Sequence, residues 1–580
     1  MRNLPFSLTG VNCYGRYVAP RPLTTLPQGR PKNWVPIDAN QFAFTPRKLR
    51  LICIGAGFSG LTLAHRIKYS KKKLGDYVDF VIYDKNSTVG GTWAENRFPG
   101  LCCDAPSHVY TFDFEPNPNW STFYASGDEI LDYIETTTKK YKLDELVQLN
   151  SKITESIWDE PSGRWKIKVQ QGDKIIEDVA DILISGAGIL NKWSWPQIPG
   201  LNDFKGKLMH STQWDPSYDY AGKRIAVIGN GSSGIQIVPA LQKTAKKVVN
   251  YIRHPTWISI NFGGQFTPQG ANFEYSDEQK RTFESSPEEF LAYRKQLEHS
   301  LNFVYGAMLK GSPINAMFKD MCTNLMKARL GNDDDLAAKF IPNYTIGCRR
   351  LTPGDGYLEA LQADNASANF TPIARFTSGG IETTDGKEEE FDLIVCATGF
   401  DVDFIPPFKL VGRDGFEVNA AWKKSNQNAY FSTCVPHTPN FFMFHGPNCP
   451  IGHGSVTRAV GWLADYIVEW TEKIATEGIK SVCVKPDVVN DFNIYIQEQL
   501  QRTVWADECD SWYTKGARDP HRVVAMYAGS VLHFKACVEK IRGEDFDFQY
   551  ISPNRFAFLG NGELAREKEE GADLAYYMTE

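Results

Sequence analysis

The feature that most constrains this chain is a pattern used twice: a short apolar run, a glycine turn of the form GxGxxG, and a helix-compatible stretch. Leu51-Ile52-Cys53-Ile54 leads into Gly55-Ala56-Gly57-Phe58-Ser59-Gly60, and Ile225-Ala226-Val227-Ile228 leads into Gly229-Asn230-Gly231-Ser232-Ser233-Gly234. Four apolar residues before such a turn read as a strand buried on both faces, as in parallel sheets. The glycines let backbone approach a pyrophosphate, and the free N–H groups of the next helix point at it. In the first copy, Asp79-Phe80-Val81-Ile82-Tyr83 reads as the second strand, and it ends at Asp84, an acid able to accept from a ribose hydroxyl. One such turn is a weak signal. Two in strand–turn–helix order predict two dinucleotide sites and an α/β chain with two Rossmann-like domains.

The second copy differs where the ribose is read. Its second strand, from Lys247 to Ile252, ends at Arg253, 19 residues past Gly234. A carboxylate there would repel a 2′-phosphate, whereas a guanidinium can pair with it in a bidentate way. The second site is therefore expected to prefer NADPH to NADH, with a lone surface arginine as the alternative. His254 follows directly and is placed in the same site.

At 580 residues the chain has room for about three or four domain-sized units. A net charge of −6, with no long basic run beyond Lys71-Lys72-Lys73, argues against a nucleic-acid partner. No apolar stretch approaches the roughly 18 residues of a membrane span. The N-terminus lacks the apolar core of a secretion signal. The 12 cysteines are scattered and include no CxxC pair. They are expected to be reduced thiols in a cytoplasmic protein, with no metal site. We divide the chain into an N-terminal arm (1–47), a first nucleotide domain (48–194 and 391–540), a second inserted within it (195–265 and 343–390), a helical insert (266–342) and a C-terminal tail (541–580). In the insert, Ser286-Pro287-Glu288-Glu289 reads as a capping-box start, followed by an apolar stripe of Phe290, Tyr293, Leu297, Leu301 and Val304.

Three further segments carry chemistry. They are Gly90-Gly91-Thr92-Trp93 running on to Cys102-Cys103-Asp104, the stretch Phe204 to Asp215 that reads FxGxxxHxxxWD, and Gly347-Cys348-Arg349-Arg350. With the two glycine turns, they resemble the flavin-dependent Baeyer–Villiger monooxygenases over roughly residues 48 to 540. Cys102 to Tyr110 and Asn554 to Gly560 look most like the fungal branch. The resemblance implies FAD at Gly55, Gly57, Gly60 and Asp84, with Thr92, Trp93, Asp104 and Tyr110 near the flavin. It implies NADPH at Gly229, Gly231, Ser232, Ser233, Gly234, Arg253 and His254, with Arg349 as a second phosphate contact. By the same resemblance Arg350 is the active-site arginine, oriented by Asp104. A fixed guanidinium suits the negative charge that grows during oxygen transfer to a ketone. Trp512 resembles a tryptophan on a loop over the nicotinamide, and a plain core tryptophan is the alternative. His210 reads as a hinge or hydrogen-bonding residue rather than an acid or base. Phe98 stands where the family commonly has Tyr.

The implied reaction inserts one atom of O2 beside the carbonyl of a small-molecule ketone, giving an ester or lactone. The fungal likeness suggests a bulky polyketide or terpenoid ketone. The nearest alternative is a related monooxygenase oxidising nitrogen or sulfur, whose signature usually lacks the Trp214-Asp215 pair. A disulfide reductase would want paired cysteines near the flavin, and a non-enzymatic binder would not need Arg350.

Overall fold

The structure is a computed structural model that describes residues 30–578 apart from 515–518 and 520; the first 29 residues of the expected arm lie outside the described residues. Two all-parallel sheets of five strands dominate. The first runs Phe441–Met443, Ile182–Ser185, Leu49–Ile54, Val78–Tyr83, Val147–Gln148 across its width. The second runs Ala366–Asn369, Lys247–Tyr251, Arg224–Ile228, Leu393–Cys396, Lys207–His210. The central strands are buried on both faces, with Leu51, Ile52, Cys53, Ile225, Ala226 and Val227 all at 0% exposure. This is why they read as unbroken apolar runs rather than alternating ones. The chain leaves the first sheet at Ser185 and returns to it at Phe441, so the second Rossmann-like unit is inserted in the first.

One boundary moves. The strand Leu393–Cys396, expected to reopen the first nucleotide domain at 391, pairs with Arg224–Ile228 and Lys207–His210 in the second sheet. A four-residue apolar strand fits the centre of either parallel sheet, so periodicity alone could not assign it.

Between the second sheet's strands the chain is helical, with helices Asp277–Ser285, Pro287–Phe303, Pro313–Arg329 and Asp334–Phe340. The Ser286 hydroxyl accepts from Glu289 N at 3.4 Å, while the reciprocal capping box forms one helix earlier, between Ser276 and Gln279. Phe290, Leu297 and Leu301 are buried as a packing stripe, and Tyr293 and Val304 are partly exposed. A further sheet, Lys152–Asp159, Arg164–Gln171 and Lys174–Ala180, is antiparallel and takes Lys409–Val411 along its edge. Its inner face, with Trp158 and Trp165, packs on Ile52, Val81 and Leu183 of the first sheet.

The described chain forms two compact units, one spanning Pro46–Gln549, the other joining the stretches up to Thr45 and from Tyr550. In the smaller unit Ala43 N donates to Glu563 O at 2.8 Å, and the rings of Phe44 and Phe558 lie 5.3 Å apart. The expectation that all cysteines are reduced is corrected: Cys348 and Cys509, 161 residues apart, form a disulfide. Neither belongs to a spaced motif, and only tertiary folding brings their loops together. The nine other described cysteines are free. Among the described residues no helix is long and apolar enough to cross a membrane.

Candidate functional site

The two glycine turns are built alike. Gly55 has a φ of +102°, and a Cβ there would lie 2.6 Å from Gly186 O; Gly229 has a φ of +108°, and its Cβ would lie 2.4 Å from Ala397 O. Each first glycine is thus pressed against the end of a neighbouring parallel strand. The third glycines set helix–strand contact. A Cβ on Gly60 would stand 2.1 Å from Gly55 O, and one on Gly234 2.3 Å from Gly229 O. The middle glycines face outward, with only Gly91 near Gly57 and nothing within 4 Å of Gly231. Helices Phe58–Tyr69 and Gly234–Gln242 begin at these turns, and neither has a side-chain cap. By contrast, Ser126, Ser276 and Ser312 cap their helices. Uncapped first-turn amides beside a glycine cradle fit a pyrophosphate, so both turns suit a dinucleotide.

Both turns open into one cavity of about 1580 Å³. Gly55, Gly57, Asp84, Thr92, Trp93, Asp104 and Tyr110 line it from the first sheet's side. Gly231, Ser232, Ser233, Arg253, Arg349 and Arg350 line it from the second, and Trp512 is also on its wall. Gly60, Gly229 and Gly234 lie behind these walls, where their role is packing. His254 is exposed and does not line the cavity; its carbonyl accepts from Asn230 Nδ2 at 3.0 Å. Thr256, two residues on, does line it.

Asp84 is buried at the end of its strand and accepts from Ala56 N at 2.7 Å and Asn86 N at 2.8 Å. Burial pushes its pKa up, and the two N–H donors oppose that shift. The carboxylate therefore braces the glycine turn. Trp93 Nε1 donates to the Tyr110 hydroxyl at 3.3 Å, with the rings edge to face at 5.7 Å. Arg349 stacks over the Tyr344 ring at 4.8 Å.

Arg350 and Asp104, 246 residues apart, form an ion pair at 2.5 Å. The Asp104 charge, first among several causes, holds the guanidinium pKa above its ordinary value. The side chain is 44% exposed and lines the cavity, held by Asp104 and within electrostatic reach of Tyr513 and Cys103. Arg253 is 80% exposed and pairs with Asp510 at 3.2 Å. Tyr513 and Asp510 were not anticipated from sequence. Tyr513 adjoins Trp512, the one signal that could have found it. Burial holds His445, in the glycine-rich loop 445–455, down to about 4, so it is neutral where it meets the cavity.

The signature stretch Phe204 to Asp215 lies outside the cavity. His210 is fully buried, stacks on Trp193 at 4.6 Å, and bonds through Nδ1 to Thr212 Oγ1 at 2.8 Å. Asp215 pairs with Lys207 at 2.5 Å, tying the end of the motif to its own strand. These contacts tie the stretch to the connector residue Trp193 and to its own strand.

Known proteins share this arrangement. The flavin-binding monooxygenase-like family matches residues 48–270. An "FAD-binding monooxygenase tazF" of Aspergillus terreus is 52% identical over 545 residues, covering 93% of this chain and 96% of its own. A "Baeyer-Villiger monooxygenase" of Pseudomonas aeruginosa is 34% identical, covering 90% and 95%. The crystal structure of cyclohexanone monooxygenase from Rhodococcus sp. Phi1 bound to NADP+ superposes with a TM-score of 0.73 at 23% identity, over 87% of this chain and all of that one, a likeness of fold. With two Rossmann-like units around one cavity and these relatives along nearly its whole length, the chain belongs to the flavin-dependent Baeyer–Villiger monooxygenases, a family of NADPH-dependent flavoproteins.

Proposed function

We propose that the chain converts a bulky natural-product ketone to an ester or lactone with FAD, NADPH and O2. One oxygen atom enters the product, the other leaves as water, and NADPH supplies the two electrons. The reading is carried by the Arg350–Asp104 pair, which stands on the wall of the one cavity that both glycine turns enter. Bound FAD would supply the redox and oxygen-transfer chemistry. The chain's own residues do the rest. Gly57, Asp84 and the first-turn amides of Phe58–Tyr69 hold FAD, and Thr92 and Trp93 bound its ring. Gly231, Ser232, Ser233, Arg253 and Arg349 hold NADPH. Arg350 places a fixed positive charge where negative charge grows on the substrate's former carbonyl oxygen, and Asp104 fixes its direction. The fungal relative at 52% identity, an FAD-binding monooxygenase, supports the FAD part of this reading.

The test is NADPH consumption by the purified, FAD-loaded protein across cyclic, aryl and polycyclic ketones, sulfides and amines, with products identified by mass. A ketone product 16 mass units heavier that hydrolyses as an ester supports the reading. Turnover confined to sulfoxides or N-oxides would replace it with the alternative chemistry.

A further inference from the structure

The loop 507–514 brings Asp510 and Trp512 to the cavity and sets Tyr513 beside the Arg350–Asp104 pair. Its ends are held away from the nucleotide walls. At one end Lys310 pairs with Asp507 at 2.8 Å; at the other, Tyr513 O accepts from Val524 N and Ala525 N at 2.9 and 3.1 Å. Across the cavity rim, two links join the loop to the residues assigned to NADPH. One is the Arg253–Asp510 pair, with side chains 80% and 59% exposed. Such a pair is weak and screened by salt. The other is the Cys348–Cys509 bond, whose cysteines immediately precede Arg349 and Asp510.

The two links answer differently to NADPH. A 2′-phosphate that takes Arg253 removes Asp510's partner and sets a like charge beside it. The ion pair therefore fails when the coenzyme arrives, and the covalent link does not. We propose that Cys348 and Cys509 are positioning residues for the coenzyme loop, and that their redox state sets the apparent affinity for NADPH. Cys348 is fully buried and Cys509 is partly exposed, so a small dithiol reaches the Cys509 sulfur first. Its thiolate attacks that sulfur, the S–S bond breaks, and Cys348 leaves as a thiolate that takes a proton. The second thiol of the reductant then closes on the mixed disulfide and frees Cys509 as a thiol. The protein gains two electrons and two protons, and the reductant becomes a cyclic disulfide. A small-molecule disulfide such as oxidised glutathione reverses the exchange.

This inference rests on the NADPH reading of the second glycine turn, and its test separates the two. Non-reducing peptide mapping of the holoenzyme, alkylated at native pH, should find the 348- and 509-containing peptides joined, and dithiothreitol should part them. Chymotrypsin should cut after Trp512 and Tyr513 faster in the reduced protein and in the Cys348→Ser/Cys509→Ser double variant. If the closed loop falls to about a tenth of the population, the KM for NADPH rises about tenfold with kcat nearly unchanged. Adding Asp510→Asn to the double variant should recover much of that KM, since it removes the carboxylate that opposes the phosphate. Dithiothreitol should leave the double variant unaffected. Absence of the joined peptide, or a joined peptide whose reduction leaves both proteolysis and KM unchanged, overturns the proposal. Faster cleavage in a protein that oxidises no NADPH in any form would instead overturn the coenzyme reading and leave the tether standing.

Discussion

At the scale of single residues, charge placement decides the chemistry. Hydride transfer needs two rings held together, whereas oxygen insertion also needs negative charge stabilised. Arg350→Ala should therefore leave flavin reduction by NADPH within reach of wild type while ester formation falls about 10²–10³-fold. Stopped-flow absorbance follows the first and product analysis the second, and near-normal ester yield would reduce Arg350 to a phosphate contact. Arg253 is tested by coenzyme choice. Losing one charge-assisted contact to the 2′-phosphate costs about 1.5–3 kcal/mol, so Arg253→Ala should raise the KM for NADPH at least about tenfold. NADH should be little affected, and equal changes for both coenzymes would remove Arg253 from the site.

At the scale of elements, each strand–turn–helix unit stands on its third glycine. A methyl on Gly60 or Gly234 would meet a backbone carbonyl, not a movable side chain, so the helix must back away from the strand. Gly60→Ala is expected to lower the FAD released on heat denaturation, and Gly234→Ala to keep FAD while weakening NADPH. Loss of both cofactors in either variant would point to collapse of the fold rather than of one turn. These units were legible because their demands are local: a buried strand, a turn without side chains, a helix entry, and a charge at the end of the second strand. Leu393–Cys396 was misplaced because its neighbours come from residues 207–210 and 224–228, and nothing in four apolar residues names its sheet. The same holds for Cys348 with Cys509 and for Arg253 with Asp510, pairs made by loops that meet only in space. Arg350 with Asp104 became readable only through the family resemblance, since the 246 residues between them carry no spacing rule.

At the scale of the whole molecule, buried histidines predict acid lability. His108 is fully buried, and burial lowers its pKa from 6.5 to about 3. Its folded pKa is depressed, so the unfolded chain binds the proton more readily. The stability this contributes is complete above about pH 6.5 and is lost as pH falls toward 3, at most on the order of 5 kcal/mol. Urea midpoints should drop between pH 6.5 and 4.5, and more shallowly in His108→Gln; parallel slopes would clear His108 of the effect. The connectors between the two sheets set a limit of another kind. The chain passes between the sheets twice, through 186–206 and 397–408, and the passages are stitched side by side. Trp193 bridges to Phe400, Asp401 N donates to Lys192 O at 2.7 Å, and Lys192 pairs with Asp401. Two fastened ribbons act as an axle. Fastened side by side, they would confine any turn of one Rossmann-like unit on the other to a single axis. Distances between two independent pairs of spin labels, placed across the cavity mouth, should then rise and fall together along one line.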